Sequence, residues 1–159
     1  MQYILAELTP CLEGTFGRGT YCPGGPADAG LSLPHMERTF AEGRDTDALL
    51  DLWTGWRAVA PPMRDQYTRF VELANAGARD LGFADLGELW RSGYDMPPDE
   101  FTLELERLGD QVRPLYTSLH CHVRAKLAEE YGSAVVPPDE PIPAHLLGNM
   151  WSQTWANVY

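Results

Sequence analysis

Phe101, Leu105, Leu108, Val112, Leu115, Leu119, Val123 and Leu127 follow one another at intervals of three or four. Eight apolar residues at that spacing lie along one stripe of an α-helix and cannot all share one face of a strand. The spacing predicts a single helix from about Asp99 to Tyr131, and little else that the chain folds into can ignore an element of that length. Pro114 lies inside it and removes one backbone hydrogen bond, so a kink is expected there and not an end. Gly132 then stops the helix.

The same period recurs upstream. Leu49, Leu52, Trp53, Trp56 and Val59 form an apolar face from Asp45 onward, with Asp45 and Asp47 where a helix start favours negative charge, and Pro61-Pro62 ends it. Met63, Tyr67, Phe70, Val71, Ala74, Ala78 and Leu81 repeat the pattern until Gly82. Leu86, Leu89 and Trp90 mark a short helix within 83–94, and Asp95 to Glu100 reads as a turn before the long one. No segment alternates with a period of two, so the expected fold is all-α, with 1–159 a single helical segment. Residues 11–34, dense in Gly and Pro, read as an irregular loop, and 132–143 as a proline-stiffened connector. A closing helix is expected over 143–157, where Met150, Trp151, Trp155 and Val158 would form an apolar ridge. That ridge stops without a polar fray or cap, which reads like a cut through a larger buried core.

Composition narrows the function. Twelve Lys and Arg against 23 Asp and Glu give a net charge of −11, which repels phosphate backbones and anionic membranes. Nucleic acid is not an expected partner. No apolar run approaches the roughly 20 residues that span a bilayer, and the first residues lack the basic start and apolar centre of a signal peptide. Cys11, Cys22 and Cys121 form no Cys-x-x-Cys pair; a Cys11–Cys22 bridge and free buried thiols both remain open.

Few residues suggest chemistry. Gly14, Gly17 and Gly19 follow no strand and precede no Lys-Ser/Thr, so they do not make a phosphate loop. His35, His120, His122 and His145 belong to no H-E-x-x-H pattern, and His120 and His122 point about 200° apart on a helix, too divergent to grip one ion. Cys121 lacks a visible base or oxyanion donor. The acidic pairs Glu104/Glu106 and Glu129/Glu130, with Arg107, Arg124 and Lys126 nearby, fit a solvated helix face. Arg57 differs, because it sits beside Trp53 and Trp56 at the end of an apolar helix and either snorkels outward or is held inside against an anion. Tyr94 is ambiguous in the same way.

The residues Trp53-Thr54-Gly55-Trp56-Arg57, Tyr67-x-x-Phe70-Val71-Glu72-Leu73-Ala74-Asn75, Gly82-Phe83-Ala84-Asp85 and Trp90-Arg91-Ser92-x-Tyr94 form an ordered series. It continues with Pro114-Leu115-Tyr116, Leu119-His120 and Pro141-Ile142-Pro143-Ala144-His145-Leu146-Leu147-Gly148-Asn149-Met150-Trp151. In this order and spacing the chain resembles the angiotensin-converting enzyme family of zinc-dependent peptidyl-dipeptidases, over about residues 13–159.

The resemblance implies a mostly α-helical, two-lobed enzyme that removes C-terminal dipeptides from peptides with a zinc-activated water and a glutamate base. This chain would supply scaffold and one wall of the cleft, with the remaining lobes of the enzyme as its partners. By position, Gln153 matches the glutamine that helps hold the substrate's C-terminal carboxylate, a task an amide performs without adding charge. Thr154 matches a neighbour lining the pocket for the last side chain. Arg57 and Tyr94 match positions that contribute to two separate chloride sites in chloride-activated members. The zinc motif and the other carboxylate and chloride partners would lie beyond Tyr159, so the segment alone is expected to be inactive. Cys22 falls where the family often begins a short disulfide, yet no second Cys follows nearby. Extracytoplasmic residence, whether secreted, periplasmic or membrane-attached, is also what the resemblance implies. The alternative is a non-catalytic acidic helical module that binds a partner through the Trp151 and Trp155 ridge.

Overall fold

The computed structural model describes residues 2–25, 30–155 and 158. The chain divides into two compact units, one made of Met1–Gly17 with Ala60–Pro114 and the other of Arg18–Val59 with Leu115–Tyr159. Six α-helices dominate the described residues, and the only described strands form a minimal antiparallel pair, so the fold is all-α.

In the first unit, α1 (Gln2–Gly17) packs against α4 (Arg64–Asp80), and α4 against the short α5 (Leu86–Arg91). Residues 11–17, expected in a loop, are thus helical. Gly14 and Gly17 cost this helix about 1 kcal/mol each in propensity. Burial of Leu12 and the packing on α4 offset that cost, and the Thr15 hydroxyl donates to the Cys11 carbonyl at 2.8 Å within the same turns. Among the described residues of this unit, Leu12, Leu73, Ala74 and Ala78 are buried.

The end of α4 is fixed by glycine. Gly82 adopts φ +92, its N–H donates to Arg79 and the Phe83 N–H to Ala78, which satisfies carbonyls that the last helical turn would otherwise leave orphaned. The next helix starts on a reciprocal cap: Asp85 accepts the Glu88 N–H at 2.8 Å, and the Glu88 carboxylate accepts the Ala84 N–H. Asn75 Oδ1 accepts the Leu86 N–H at 3.0 Å and ties α5 to α4.

The second unit opens with β1 (Thr20–Tyr21) and β2 (Leu31–Ser32), paired so that Thr20 faces Ser32 and Tyr21 faces Leu31. Of the Gly/Pro-rich stretch between them, residues 26–29 lie outside the described residues. Helix α2 (Leu33–Glu42) begins directly after β2 with Pro34 in its first turn, where a missing N–H costs nothing because no intrahelical partner existed. The proline that reads as a loop residue is therefore a helix starter. Helix α3 (Thr46–Trp56) is capped by Asp45, which accepts the N–H groups of Asp47 and Ala48, both at 3.0 Å. Single 3₁₀ turns at Arg57–Val59 and Pro61–Met63 then lead to α4.

Tyr21 lies across α3. A Cβ at Gly55 would collide with its ring, and its hydroxyl donates to Asp51 at 2.8 Å. Glycine is required at 55 by that close approach.

The long helix, α6 (Pro98–Tyr131), passes through Pro114 without ending, and the division between the units falls immediately after that residue. Gly132, at φ +82, follows its end. Arg107 pairs with Glu104, Arg113 with Asp110 and Lys126 with Glu129, each three residues apart and exposed to solvent on at least one partner. Such pairs contribute only a few tenths of a kcal/mol each. The second unit's core is Met36 and Phe40 from α2, Leu49, Leu52 and Trp56 from α3, Val123 and Leu127 from α6, and Val136, Ile142, Leu146, Leu147 and Met150 from the C-terminal stretch. Each such side chain stabilises by about 1.5–3 kcal/mol relative to exposure.

The expected closing helix is not formed over its described residues. Ala144–Leu146 makes one 3₁₀ turn, Gly148 takes φ +78 and Ser152 takes φ +58, a left-handed conformation that no α-helix tolerates. Residues 156 and 157 of that expected helix, and Tyr159, lie outside the described residues.

Candidate functional site

Asn149 explains why this stretch is a loop. Its Oδ1 accepts the Trp151 N–H at 3.0 Å and the Gln153 N–H at 3.2 Å, while its Nδ2 donates to the Thr154 hydroxyl at 2.8 Å. A side chain that captures two following N–H groups competes directly with the helical ladder. Ser152 completes the turn: its hydroxyl donates to the Ala144 carbonyl at 2.9 Å and its N–H to the Asn149 carbonyl at 3.2 Å. The Trp155 indole N–H donates to the Ser152 carbonyl at 3.0 Å. These bonds, centred on Asn149 and Ser152, tie the loop together from Ala144 to Trp155.

The loop sorts its large apolar residues. Met150 is fully buried, Trp155 is half-buried with its ring 6.0 Å from Tyr116 and 6.2 Å from His120, and Trp151 is 43% exposed. The three therefore do not build one ridge. Gln153 and Thr154 are both exposed at the crest of the loop, with their backbone and hydroxyl, respectively, held by Asn149.

Arg57 is partly buried. Its Nη1 donates to the Trp53 carbonyl at 2.7 Å and reaches the Met150 sulfur at 3.4 Å, and its Nη2 donates to the Met150 carbonyl at 3.0 Å. The guanidinium carbon lies 3.3 Å from the centre of the Trp53 ring, a close cation–π contact. Arg57 thus joins the end of α3 to the buried base of the Asn149 loop, and burial pulls its pKa below the ordinary arginine value. The Trp53 indole N–H is buried and meets no acceptor among the described residues. A lone buried donor costs about 1–3 kcal/mol, so this spot combines a fixed cation with an unanswered N–H.

Tyr94 belongs to the other unit. It is 57% exposed, and its ring stacks on Phe101 at 4.1 Å. Among the described residues no group of three or more His, Cys, Asp or Glu gathers where a metal ion could be held. All three cysteines are free, with Cys11 and Cys121 exposed and Cys22 half-buried. His145, in the 3₁₀ turn that precedes the loop, has its pKa lowered by burial.

The sequence reading missed Asn149 as the organiser of this site, although an Asn after Gly148 is itself a turn signal. The apolar spacing of Met150, Trp151 and Trp155 outweighed it. Met150 as an acceptor for Arg57 carried no signal, since 93 residues separate the two.

Residues 2–159 match the family described as angiotensin-converting enzyme. Among curated proteins, the chain is 44% identical over 127 residues to the angiotensin-converting enzyme of Bos taurus, covering 79% of this chain and 10% of that protein. It is 40% identical over 155 residues to the one of Oryctolagus cuniculus, covering 96% of this chain and 12% of the relative. To that of Theromyzon tessulatum it is 40% identical over 126 residues, 79% of this chain and 20% of the relative. The chain belongs to the angiotensin-converting enzyme family. It spans about a tenth to a fifth of the length of these curated relatives.

Proposed function

We propose that this chain is a segment of a zinc metallopeptidase of the peptidyl-dipeptidase type, which removes C-terminal dipeptides from peptides, and that the segment supplies scaffold and one wall of the substrate cleft. The observation that carries this reading is the loop at 149–155 in a chain that matches the family from residue 2 to 159. That loop holds Gln153 and Thr154 in an exposed, hydrogen-bonded arrangement. In this reading the Gln153 amide donates to the substrate's terminal carboxylate, and Thr154 lines the pocket of the last side chain. Two N–H donors on a neutral amide suit a carboxylate, and a fixed backbone removes much of the ordering cost of binding it.

Among the described residues, His, Cys, Asp and Glu form no cluster that could ligate zinc. When bound, zinc would activate the attacking water from other parts of the enzyme. The segment's own contribution is binding and positioning, and by itself it is inactive.

Chloride is the second group in this reading, with Arg57 and Tyr94 at separate sites. Arg57 offers a guanidinium fixed by the Trp53 and Met150 carbonyls beside the orphaned Trp53 N–H, a donor set that an anion would complete. The full enzyme acts outside the cytoplasm, on peptide substrates, with the remaining lobes covering apolar surface that this chain leaves exposed. A partner-binding module without catalysis fits less well, because the ridge it would use is broken up, with Met150 buried and Trp155 half-buried.

The test is Gln153→Ala in the full-length enzyme. We expect KM for a peptide with a free C-terminal carboxylate to rise about tenfold, the loss of one charge-assisted hydrogen bond. An unchanged KM contradicts the assigned role.

A further inference from the structure

We infer that Asn149 is a positioning residue for the substrate's C-terminal end, acting through Gln153 and Thr154 without touching the peptide. The inference rests on the role proposed for Gln153 and deepens it. Three bonds converge on one side chain: the N–H groups of Trp151 and Gln153 on Oδ1, and the Thr154 hydroxyl on Nδ2. Each polar atom of the Asn149 amide is thereby committed to the two residues that face substrate, or to the residue two before Gln153.

The backbone alone does not hold this shape. Ser152 takes φ +58 without being glycine, a left-handed conformation that is strained for a residue with a Cβ and persists only where its surroundings enforce it. The enforcing contacts are the Asn149 carbonyl on the Ser152 N–H, the Ala144 carbonyl on the Ser152 hydroxyl and the Trp155 indole on the Ser152 carbonyl. Asn149 supplies the first of these from its backbone and flanks it on both sides from its side chain. Just beneath, the Met150 carbonyl is held by Arg57 at 3.0 Å, so the loop has a fixed base and a crest whose geometry Asn149 sets.

Alanine at 149 removes the acceptor for two N–H groups and the donor to Thr154 but keeps the backbone bond to Ser152. The crest loosens while the base stays. Freed from Asn149, Gln153 samples orientations in which its amide no longer meets the carboxylate, and the weakening appears in substrate binding before it appears in chemistry.

The experiment compares the full-length enzyme, Asn149→Ala, Gln153→Ala and the double variant on an N-acylated tripeptide with a free C-terminal carboxylate and on its C-terminal amide. The expected result is a KM for the free acid raised about tenfold by Asn149→Ala with kcat within about twofold, a smaller effect on the amide, and a double variant whose KM rises by clearly less than the product of the two single effects. An equal effect on acid and amide, or full additivity with Gln153→Ala, overturns the inference. A wild-type enzyme without peptidase activity would instead count against the proposed function, and the role of Asn149 is then read from amide hydrogen exchange. Asn149→Ala must accelerate exchange at Trp151 and Gln153, and unchanged protection there overturns the inference. Should that variant fail to fold, Asn149→Asp serves: it keeps the acceptor and must retain protection at both amides, and loss of that protection is the contrary result.

Discussion

Val123 and Leu127, in the C-terminal half of α6, are 0% and 3% exposed, whereas Leu105, Leu108 and Val112, in its N-terminal half, are 53%, 42% and 57% exposed. All five belong to one apolar period within one continuous helix. Their period explains the helix and does not explain their burial. The C-terminal half belongs to a unit whose core also draws on α2, α3 and the terminal loop. The N-terminal half belongs to a unit whose buried residues, among those described, are Leu12, Leu73, Ala74 and Ala78. In the proposed function, the exposed stripe packs on parts of the peptidase that lie outside this segment, which spans a tenth to a fifth of its relatives.

Substitutions can break this comparison. Leu127→Ala removes a buried side chain and should cost about 2–5 kcal/mol in denaturant unfolding of the chain. Leu105→Ala, at the same period, should change it by less than about 0.5 kcal/mol. Equal costs would show that the two halves are buried alike. A second change sharpens what holds the better-buried unit. Gly55→Ala forces the Tyr21 ring off α3 and should cost about 1–3 kcal/mol despite alanine's better helix propensity; a stabilised variant would mean that Tyr21 relocates freely.

Caps provide the control, because they are local. Asp45→Ala and Asp85→Ala remove N-caps in different units, and each should cost about 1 kcal/mol. A large difference between them would imply that burial governs even helix ends.

The smallest effect expected is a pH dependence. Burial lowers the His145 pKa, so the unfolded chain takes up a proton near the ordinary value of about 6.5 before the folded one does. Stability from this group is therefore fully present above about pH 6.5 and is lost as pH falls through the lower folded value. His145→Gln should flatten that slope in thermal melts below about pH 6.5, and an unaltered slope would exclude His145 as its source.

Much of this was legible in the sequence. Helices α3 to α6 followed from apolar spacing and from Asp45, Gly82 and Gly132, signals that act over a few residues. Helix α1 was hidden because Gly14 and Gly17 speak against it locally, while the packing on α4 that outweighs them is a contact across some 50 residues of sequence. Helix α2 was hidden because Pro34 both ends loops and starts helices. At the candidate site, Gln153, Thr154, Arg57 and Tyr94 came from family resemblance, and periodicity pointed the wrong way. Trp151 and Trp155 sit four apart, but the bonds of Asn149 turn the chain between them.

The central claim is that this chain is a binding and scaffold segment of a zinc peptidyl-dipeptidase, and dipeptide release measures it most directly. The purified chain and the full-length enzyme would each be incubated with zinc and a peptide substrate, with and without a chelator. The account predicts C-terminal dipeptides from the full-length enzyme alone, abolished by chelation. Dipeptides released by the purified chain, or none released by the full-length enzyme in zinc, would contradict it.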